Sequence, residues 1–182
     1  MSTCRLRRWL GTGALALVLV SAGCTDRPDP DSGAAPATDV AGAAPSVKPS
    51  VLPGGCGQTP LLSGALPPWT DSAGPPADLP YVVSHEGNLV GVLFGHPLHA
   101  PPQSADYNNK ILWIVREPRN GSDLRLTLRP ATGDGPPVTV SRPADSSPGE
   151  IYPSIVDVPA AGCWTVVAEW DGHRATLELA HG

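Results

Sequence analysis

Positive charge is scarce in this chain. Lysine and arginine together number 12 against 17 aspartate and glutamate residues, so the formal net charge is -5. A nucleic-acid partner needs a basic stripe on the protein, because an acidic surface repels the phosphates. The sequence offers no such stripe and therefore excludes a nucleic-acid partner.

Long apolar runs are also missing. The longest, residues 9–20, covers about 12 positions, whereas a helix that crosses the hydrocarbon of a membrane needs roughly 20. The chain is instead rich in proline (23) and glycine (20), which are typical of loops and turns. We therefore predict neither a membrane-spanning helix nor long helices in the folded part.

Familiar catalytic motifs are absent as well. The sequence has no G-x-S-x-G, S-x-x-K, H-E-x-x-H or C-x-x-C motif and no glycine loop of the kind that cradles phosphates. We therefore predict a protein that is not an enzyme and that holds no cofactor.

The amino terminus has the three parts of a secretory signal. Three arginines and no acidic residue lie within residues 1–8, the apolar run follows, and small residues lead directly into Cys24. The stretch VSAGC, residues 20–24, resembles the lipobox of bacterial lipoproteins. The chain as a whole resembles uncharacterised lipoproteins of high-GC Gram-positive bacteria.

This resemblance implies a cellular location for the protein. It implies cleavage before Cys24, a diacylglycerol thioether on the Cys24 sulfur, and further acylation, with palmitate for example, at the new amino group. Two or three acyl chains anchor a protein durably, whereas one chain holds it only marginally. We therefore expect a lipid-anchored protein on the extracytoplasmic face of the cell membrane.

Composition divides the rest of the chain into two parts. Residues 24–55 contain six prolines and scattered small residues without any helical or strand period, so we predict a disordered tether after a signal peptide of residues 1–23. Residues 56–182 carry the apolar periodicity of a folded domain.

The cysteines predict one disulfide. Cys4 lies in the signal segment and Cys24 is the lipidation candidate, which leaves Cys56 and Cys163. Two remaining cysteines in an exported protein are usually paired, so we predict a Cys56–Cys163 bridge. Two free thiols or a metal-binding pair are the alternatives.

The segment CWTVVAEWDGHRATLELA, residues 163–180, predicts a β-hairpin. Two alternating segments flank Asp171 and Gly172, and a two-residue Asp-Gly loop is a favoured hairpin turn. This turn predicts one apolar face, formed by the pairs Trp170 with His173, Ala168 with Ala175, Val166 with Leu177 and Trp164 with Leu179. Glu169 and Arg174 then pair on the opposite face.

Further short strands are predicted at residues 81–85, 89–94, 111–116, 124–128, 138–141 and 154–158. Many short strands separated by glycine and proline are typical of an all-β fold, and we predict an antiparallel β-sandwich of immunoglobulin-like kind. A small closed β-barrel is the alternative. Trp113, Trp164 and Trp170 are assigned to the core, whereas Trp69, in a proline-rich loop, either covers a core edge or contacts a partner.

One loop suggests a metal site. His96 and His99 lie three residues apart in GHPLHAPPQ, residues 95–103, and could bind zinc or copper with a third ligand such as His85, His173 or a carboxylate. Surface imidazoles without a metal are the alternative for this pair.

Three functions follow from these observations. We favour a non-enzymatic, membrane-anchored lipoprotein with a binding or structural role, whose partner is another envelope protein or a wall component. A metal-binding lipoprotein that uses His96 and His99 is the second. A surface hydrolase with a site assembled from scattered loops is the third.

Overall fold

A computed structural model describes residues 48–70, 78–102 and 106–182 of the chain. The predictions for the signal peptide, for Cys24 and for most of the tether lie outside the described residues. Within these ranges, none of the helices has the length and apolar character needed to cross a membrane.

Strands dominate the fold. Among the described residues, the two helical segments are short 3-10 helices at Pro68–Thr70 and Ala144–Ser146. The strands in chain order are β1 (Ser50–Cys56), β2 (Thr59–Ser63), β3 (Tyr81–Val83), β4 (Leu89–Leu93), β5 (Lys110–Val115), β6 (Leu124–Pro130), β7 (Val138–Arg142), β8 (Ile151–Ile155), β9 (Gly162–Trp170) and β10 (His173–His181).

The strands form two antiparallel sheets. One sheet has the order β1-β2-β3-β4-β5-β8 and the other the order β10-β9-β6-β7. The predicted β-sandwich of immunoglobulin-like kind is thus confirmed at the level of two packed antiparallel sheets. The described strands do not close into a single barrel, the alternative fold.

The C-terminal hairpin has the predicted register. Trp170 pairs with His173, Val166 with Leu177 and Trp164 with Leu179. Asp171 and Gly172 both have positive φ angles, 42° and 78°, as a type I′ turn requires. The Asp-Gly loop and the two-residue period of the flanking strands were therefore sufficient to predict this element.

The other predicted strands are also present, with shifted ends. The largest shift is in β8, predicted at residues 154–158 and observed at Ile151–Ile155. Residues 156–158 continue beyond β8 as a non-strand segment in which Val156 and Val158 are buried. These two valines pack into the core although they do not belong to the sheet.

The predicted tether boundary at residue 55 is wrong, because β1 occupies Ser50–Cys56. This strand lies at the edge of its sheet and pairs only with β2, and its register is irregular between Leu52 and Cys56. An edge strand tolerates proline and glycine since one side of its backbone needs no partner strand. Because of its proline and glycine content, this ordered strand was predicted as part of the linker.

The main core lies between the sheets. The six-stranded sheet contributes side chains such as Leu89, Ile111 and Trp113, and the four-stranded sheet contributes Leu126 and Val166. Trp113, Trp164 and Trp170 are all buried here, as predicted. The aromatic residues thus fill the core of this aromatic-poor domain.

A second apolar cluster covers the outer face of the six-stranded sheet. Val90, Val92 and Ile114 are buried there, and Trp69 packs against this cluster. Of the two roles predicted for Trp69, the structure supports the covering one.

The predicted disulfide between Cys56 and Cys163 is present, with 5.7 Å between the Cα atoms. Cys56 ends β1 and Cys163 lies on β9, so the bridge joins the two sheets. The bridge therefore links an edge strand of the six-stranded sheet to the four-stranded sheet.

Candidate functional site

A pocket of about 240 Å³ opens between the sheets where β10 ends. Buried leucines from several segments, Leu61, Leu93, Leu98 and Leu179, line its interior. Exposed residues surround the opening, namely Gly54, Gly55, His96 and Pro97. The pocket is thus an apolar cavity of the core that reaches the surface at one end.

Backbone pairing holds the loop of residues 94–102 against the end of β10. Leu98 and His181 form an isolated parallel bridge. The Gly182 N–H donates to the Leu98 oxygen at 2.9 Å, and the Ala100 N–H donates to the Gly182 oxygen at 2.8 Å. This pairing places His96 and Pro97 at the pocket opening.

The buried side chain of Asn109 fixes the same loop from the other side. Its Oδ1 accepts from the His99 N–H at 2.8 Å, and its Nδ2 donates to the His99 oxygen at 2.8 Å and to Asp157 Oδ1 at 2.9 Å. The loop wall of the pocket is therefore bonded to the sandwich on both sides.

His181 is the polar side chain that distinguishes this pocket. It continues the inward-facing alternation of Ala175, Leu177 and Leu179 along β10, and it is only 3% exposed. Both ring nitrogens are buried, and the backbone of His99 lies close to the ring.

The surroundings of His181 favour the neutral ring. Burial lowers its pKa from the ordinary 6.5, while the backbone of His99 and the Asp157 carboxylate favour the protonated form and oppose part of this shift. At neutral pH the pocket therefore holds a neutral imidazole.

The lowered pKa predicts how stability depends on pH. Below pH 6.5 the unfolded chain binds a proton that the folded protein excludes from His181, so acidification favours unfolding until the lowered folded-state pKa is reached. We expect the free energy of unfolding to fall more steeply between pH 7 and pH 5.5 in the native protein than in His181→Leu, by at most about 1.4 kcal/mol per pH unit. Urea unfolding at several pH values measures both slopes. Parallel pH profiles would contradict the expectation.

The two histidines of the proposed metal site have different surroundings. His96 is exposed at the pocket opening, where partial desolvation lowers its pKa, whereas the His99 ring makes an edge contact with the ring of Tyr107, with 4.4 Å between centroids. In the part of the chain that the structure describes, no three histidine, cysteine or acidic side chains are placed to hold a metal ion. The metal site stays a prediction.

A second polar cluster joins β2 to β10. Glu178 Oε2 lies 2.5 Å from Thr59 Oγ1 and 3.0 Å from His85 Nε2, and the same Nε2 lies 3.2 Å from Thr59 Oγ1. In a catalytic triad the acid and the nucleophile contact opposite nitrogens of the histidine. Here both contact Nε2, and Thr59 is only 1% exposed. These contacts therefore have a structural role, in which they link β2 to β10. The β3–β4 turn is attached to β10 as well, because the His85 N–H donates to the Thr176 oxygen.

No protein family, curated protein or solved structure matches this chain. The case for the site therefore depends on its own geometry. Sequence reasoning found His96 but missed His181. The signal was available in the hairpin, because the alternation that places Leu177 and Leu179 in the core places His181 there as well.

A larger opening of about 730 Å³ lies beside the β9–β10 turn. Three of its charged groups, Glu169, Asp171 and Arg174, already contact polar neighbours. Arg174 Nη1 lies 3.4 Å from Glu169 Oε1, and Asn120 Nδ2 donates to Asp171 Oδ2 at 2.6 Å. The pocket at His181, whose walls are mostly apolar and include a few polar side chains, is the stronger candidate for a binding site.

Proposed function

We propose that this protein is a lipid-anchored, non-enzymatic binding protein on the extracytoplasmic face of the cell membrane. Its anchor is Cys24, at the junction of the apolar signal segment and the proline-rich tether. The partner is another envelope protein, a wall component or a small molecule of the envelope.

The cysteine pairing is the observation that carries this proposal. Of the four cysteines, Cys4 precedes the apolar run, and Cys56 and Cys163 are bonded to each other. Cys24 is therefore the remaining cysteine downstream of the apolar run, and no other cysteine there is left to pair with it. A structural disulfide also suits an oxidising compartment outside the cytosol.

The polar clusters support a binding role over catalysis. The Thr59, His85 and Glu178 side chains lack the geometry of a catalytic triad, because the hydroxyl and the carboxylate contact the same ring nitrogen of His85. The pocket, by contrast, has the general composition of a ligand site: mostly hydrophobic walls with a few polar side chains, among them His96, Glu178 and His181.

Mass spectrometry of the chain expressed in a Gram-positive host tests the anchor. We expect the mature protein to begin at Cys24 and to carry a diacylglycerol. Cys24→Ala should abolish both the modification and the cleavage before residue 24, because the peptidase of such lipoproteins acts after lipidation, as the lipobox resemblance implies.

Cys4→Ala is the matched control, since it removes the other cysteine of the same segment, and it should leave lipidation unchanged. Mass is the deciding measurement, because an uncleaved signal segment could also hold the protein at the membrane. A mature chain whose first residue carries no acyl group, or a native mass unaffected by Cys24→Ala, would refute the proposal.

A further inference from the structure

The outer face of the six-stranded sheet is apolar from one edge to the other. In an antiparallel sheet, residues paired across neighbouring strands have their side chains on the same face. One continuous row of such pairs crosses all six strands and consists of Val51, Leu62, Tyr81, Val92, Leu112 and Pro153. The solvated face of an antiparallel sheet is usually polar. This face departs from that pattern and therefore calls for an explanation.

The outer face of the four-stranded sheet follows the usual pattern. The row that crosses its four strands consists of Ser141, Arg125, Glu169 and Arg174. By contrast, the strands of the six-stranded sheet contain a single charged residue, Lys110. The two outer faces of the sandwich thus differ sharply in polarity.

Folding leaves part of the apolar face uncovered. The connection from β2 to β3 covers its centre with partly buried side chains, among them Trp69. Val51, Phe94 and Ile155 nevertheless stay exposed, by 71%, 43% and 43%. Among the described residues these are the exposed large hydrophobic side chains, and all three lie at this face. Clustered exposure of this kind marks a site of contact with a protein or a membrane.

Lys110 lies between two of these exposed side chains. It pairs with Ile155 across β5 and β8, and its Nζ lies 5.1 Å from the centroid of the Phe94 ring. It forms no ion pair with another described residue. Lys48, the other lysine of the chain, is exposed two residues before β1 begins. The face therefore combines apolar side chains with positive charge that no acidic residue of its strands offsets.

Two observations favour a lipid surface as the occupant of this face. Its positive charge complements anionic phospholipids, whereas the chain as a whole, with a net charge of -5, is repelled by them. The chain from Cys24 also enters the domain at β1, on the edge of this sheet, and residues 24–49 extend at most about 90 Å. The proposed anchor thus keeps the domain near the bilayer, where a weak contact is enough to orient it.

We propose that the outer face of the six-stranded sheet docks on an anionic phospholipid surface. The exposed apolar side chains meet the boundary between headgroups and acyl chains, and Lys110 lies beside the phosphates. Trp69 then lies at the interface, where indole side chains are enriched. The inference rests on the lipid anchor of the proposed function and adds an orientation, in which the four-stranded sheet faces away from the membrane.

Quenching of tryptophan emission by brominated acyl chains tests the orientation. The mature, lipid-anchored chain is reconstituted in vesicles of equal parts of phosphatidylcholine and phosphatidylglycerol, with or without bromine on the acyl chains. Phe94→Trp places a tryptophan on the proposed contact face. Thr139→Trp is the matched control, because Thr139 is exposed and pairs with Thr127 on the outer face of the four-stranded sheet.

We expect the brominated chains to lower the added emission of Phe94→Trp and to leave that of Thr139→Trp unchanged, since the two sheets lie roughly 10 Å apart. A second measurement needs no added tryptophan. Trp113, Trp164 and Trp170 are buried in the core, so Trp69 is the described tryptophan at this face, and the brominated chains should lower its emission in the native chain.

Lys110→Gln tests the charge. In the Phe94→Trp background it should lower the ratio of docked to undocked domain about fivefold, the effect of one basic residue near an anionic surface. In vesicles of phosphatidylcholine alone, the same substitution should have little effect. Arg129→Gln is the matched control, because it removes an exposed arginine from the outer face of the other sheet, and it should leave docking unchanged. Equal effects of the two substitutions would contradict the proposal.

Three further results would overturn the inference. These are no quenching of either added tryptophan, equal quenching of both, and a Phe94→Trp indole that is shielded from the aqueous quencher acrylamide but not quenched by brominated chains. The last result would mean that a protein, such as a second copy of this chain, covers the face.

The anchor and the contact face are tested separately. The mass of the purified chain is measured before reconstitution, and a chain without lipid on Cys24 refutes the anchor. The Cys24 thiol of the Cys4→Ala chain is then coupled to a maleimide phospholipid, so that the orientation is still measured. A lipidated chain without a preferred orientation refutes the contact face alone.

Discussion

Removing the Cys56–Cys163 disulfide is expected to lower the free energy of unfolding by about 4 to 5 kcal/mol. The two cysteines are 107 residues apart, so the bond closes nearly the whole described domain into one loop and restricts the unfolded chain strongly. Since a typical domain is stable by about 5 to 15 kcal/mol, this loss is a large part of the total.

The position of the bridge adds a local reason for a large effect. It holds β1, an edge strand with few buried side chains, and Val51 in this strand is 71% exposed. Burial alone therefore binds β1 weakly to the rest of the sandwich. Without the bond, β1 should separate from the rim of the pocket, where it contributes Gly54 and Gly55.

Urea unfolding of the full chain measures the effect. The double variant Cys56→Ala/Cys163→Ala is compared with the oxidised native protein, and the native protein under reducing conditions is the control for the alanine substitutions. The reduced protein and the double variant should lose similar stability. A loss below about 1 kcal/mol in both would contradict the expectation, as it would show that the unfolded chain gains little freedom.

The elements that could be predicted are those whose signal is local. In the β9–β10 hairpin the turn residues set the loop length, and the two-residue period then determines the face of every side chain. A one-residue slip would have moved Trp164 and Trp170 to solvent. Register and burial were therefore available from one short stretch of sequence.

The first strand could not be predicted because its order comes from distant partners. Ser50–Cys56 pairs with β2 on one side and is bonded to β9 through Cys56. Its own residues, with two glycines and a proline, have low strand propensity. The same composition in a segment without those partners would be a linker, so local sequence could not distinguish the two.

Of the two histidines at the candidate site, only His96 was predicted, for a similar reason. His96 is conspicuous as a histidine in a proline-rich loop, but its neighbour across the pocket lies at the other end of the domain sequence. The parallel bridge between Leu98 and His181 brings them to one opening. Contacts between sequentially distant segments carry no period or motif, and only the assembled fold reveals them.

Trp113→Ala is expected to destabilise the domain by about 3 to 5 kcal/mol. The indole is fully buried between the sheets, and its Nε1 donates to Ser154 Oγ at 2.8 Å. Truncation therefore leaves a large cavity and also deprives a buried hydroxyl of its partner. Trp69→Ala is the matched control, because Trp69 is only partly buried on the outer cluster, and it should cost roughly 1 to 2 kcal/mol.

The neighbour of Trp113 allows a sharper test of the same packing. Gly91 is paired with Trp113 across β4 and β5, and a Cβ atom at Gly91 would lie 2.7 Å from Trp113 Cζ3. Gly91→Ala should therefore destabilise the native protein by about 1 to 3 kcal/mol through overpacking. In the Trp113→Ala background the same change enters an empty space, so its cost should largely disappear.

Urea unfolding followed by far-ultraviolet circular dichroism, which does not depend on tryptophan fluorescence, gives the four free energies of this double-mutant cycle. A coupling near zero would mean that the indole does not lie against Gly91. A Trp113→Ala loss no greater than that of Trp69→Ala would place Trp113 outside the core. Either result would contradict the packing of the two sheets, which forms the apolar interior continuous with the pocket at His181.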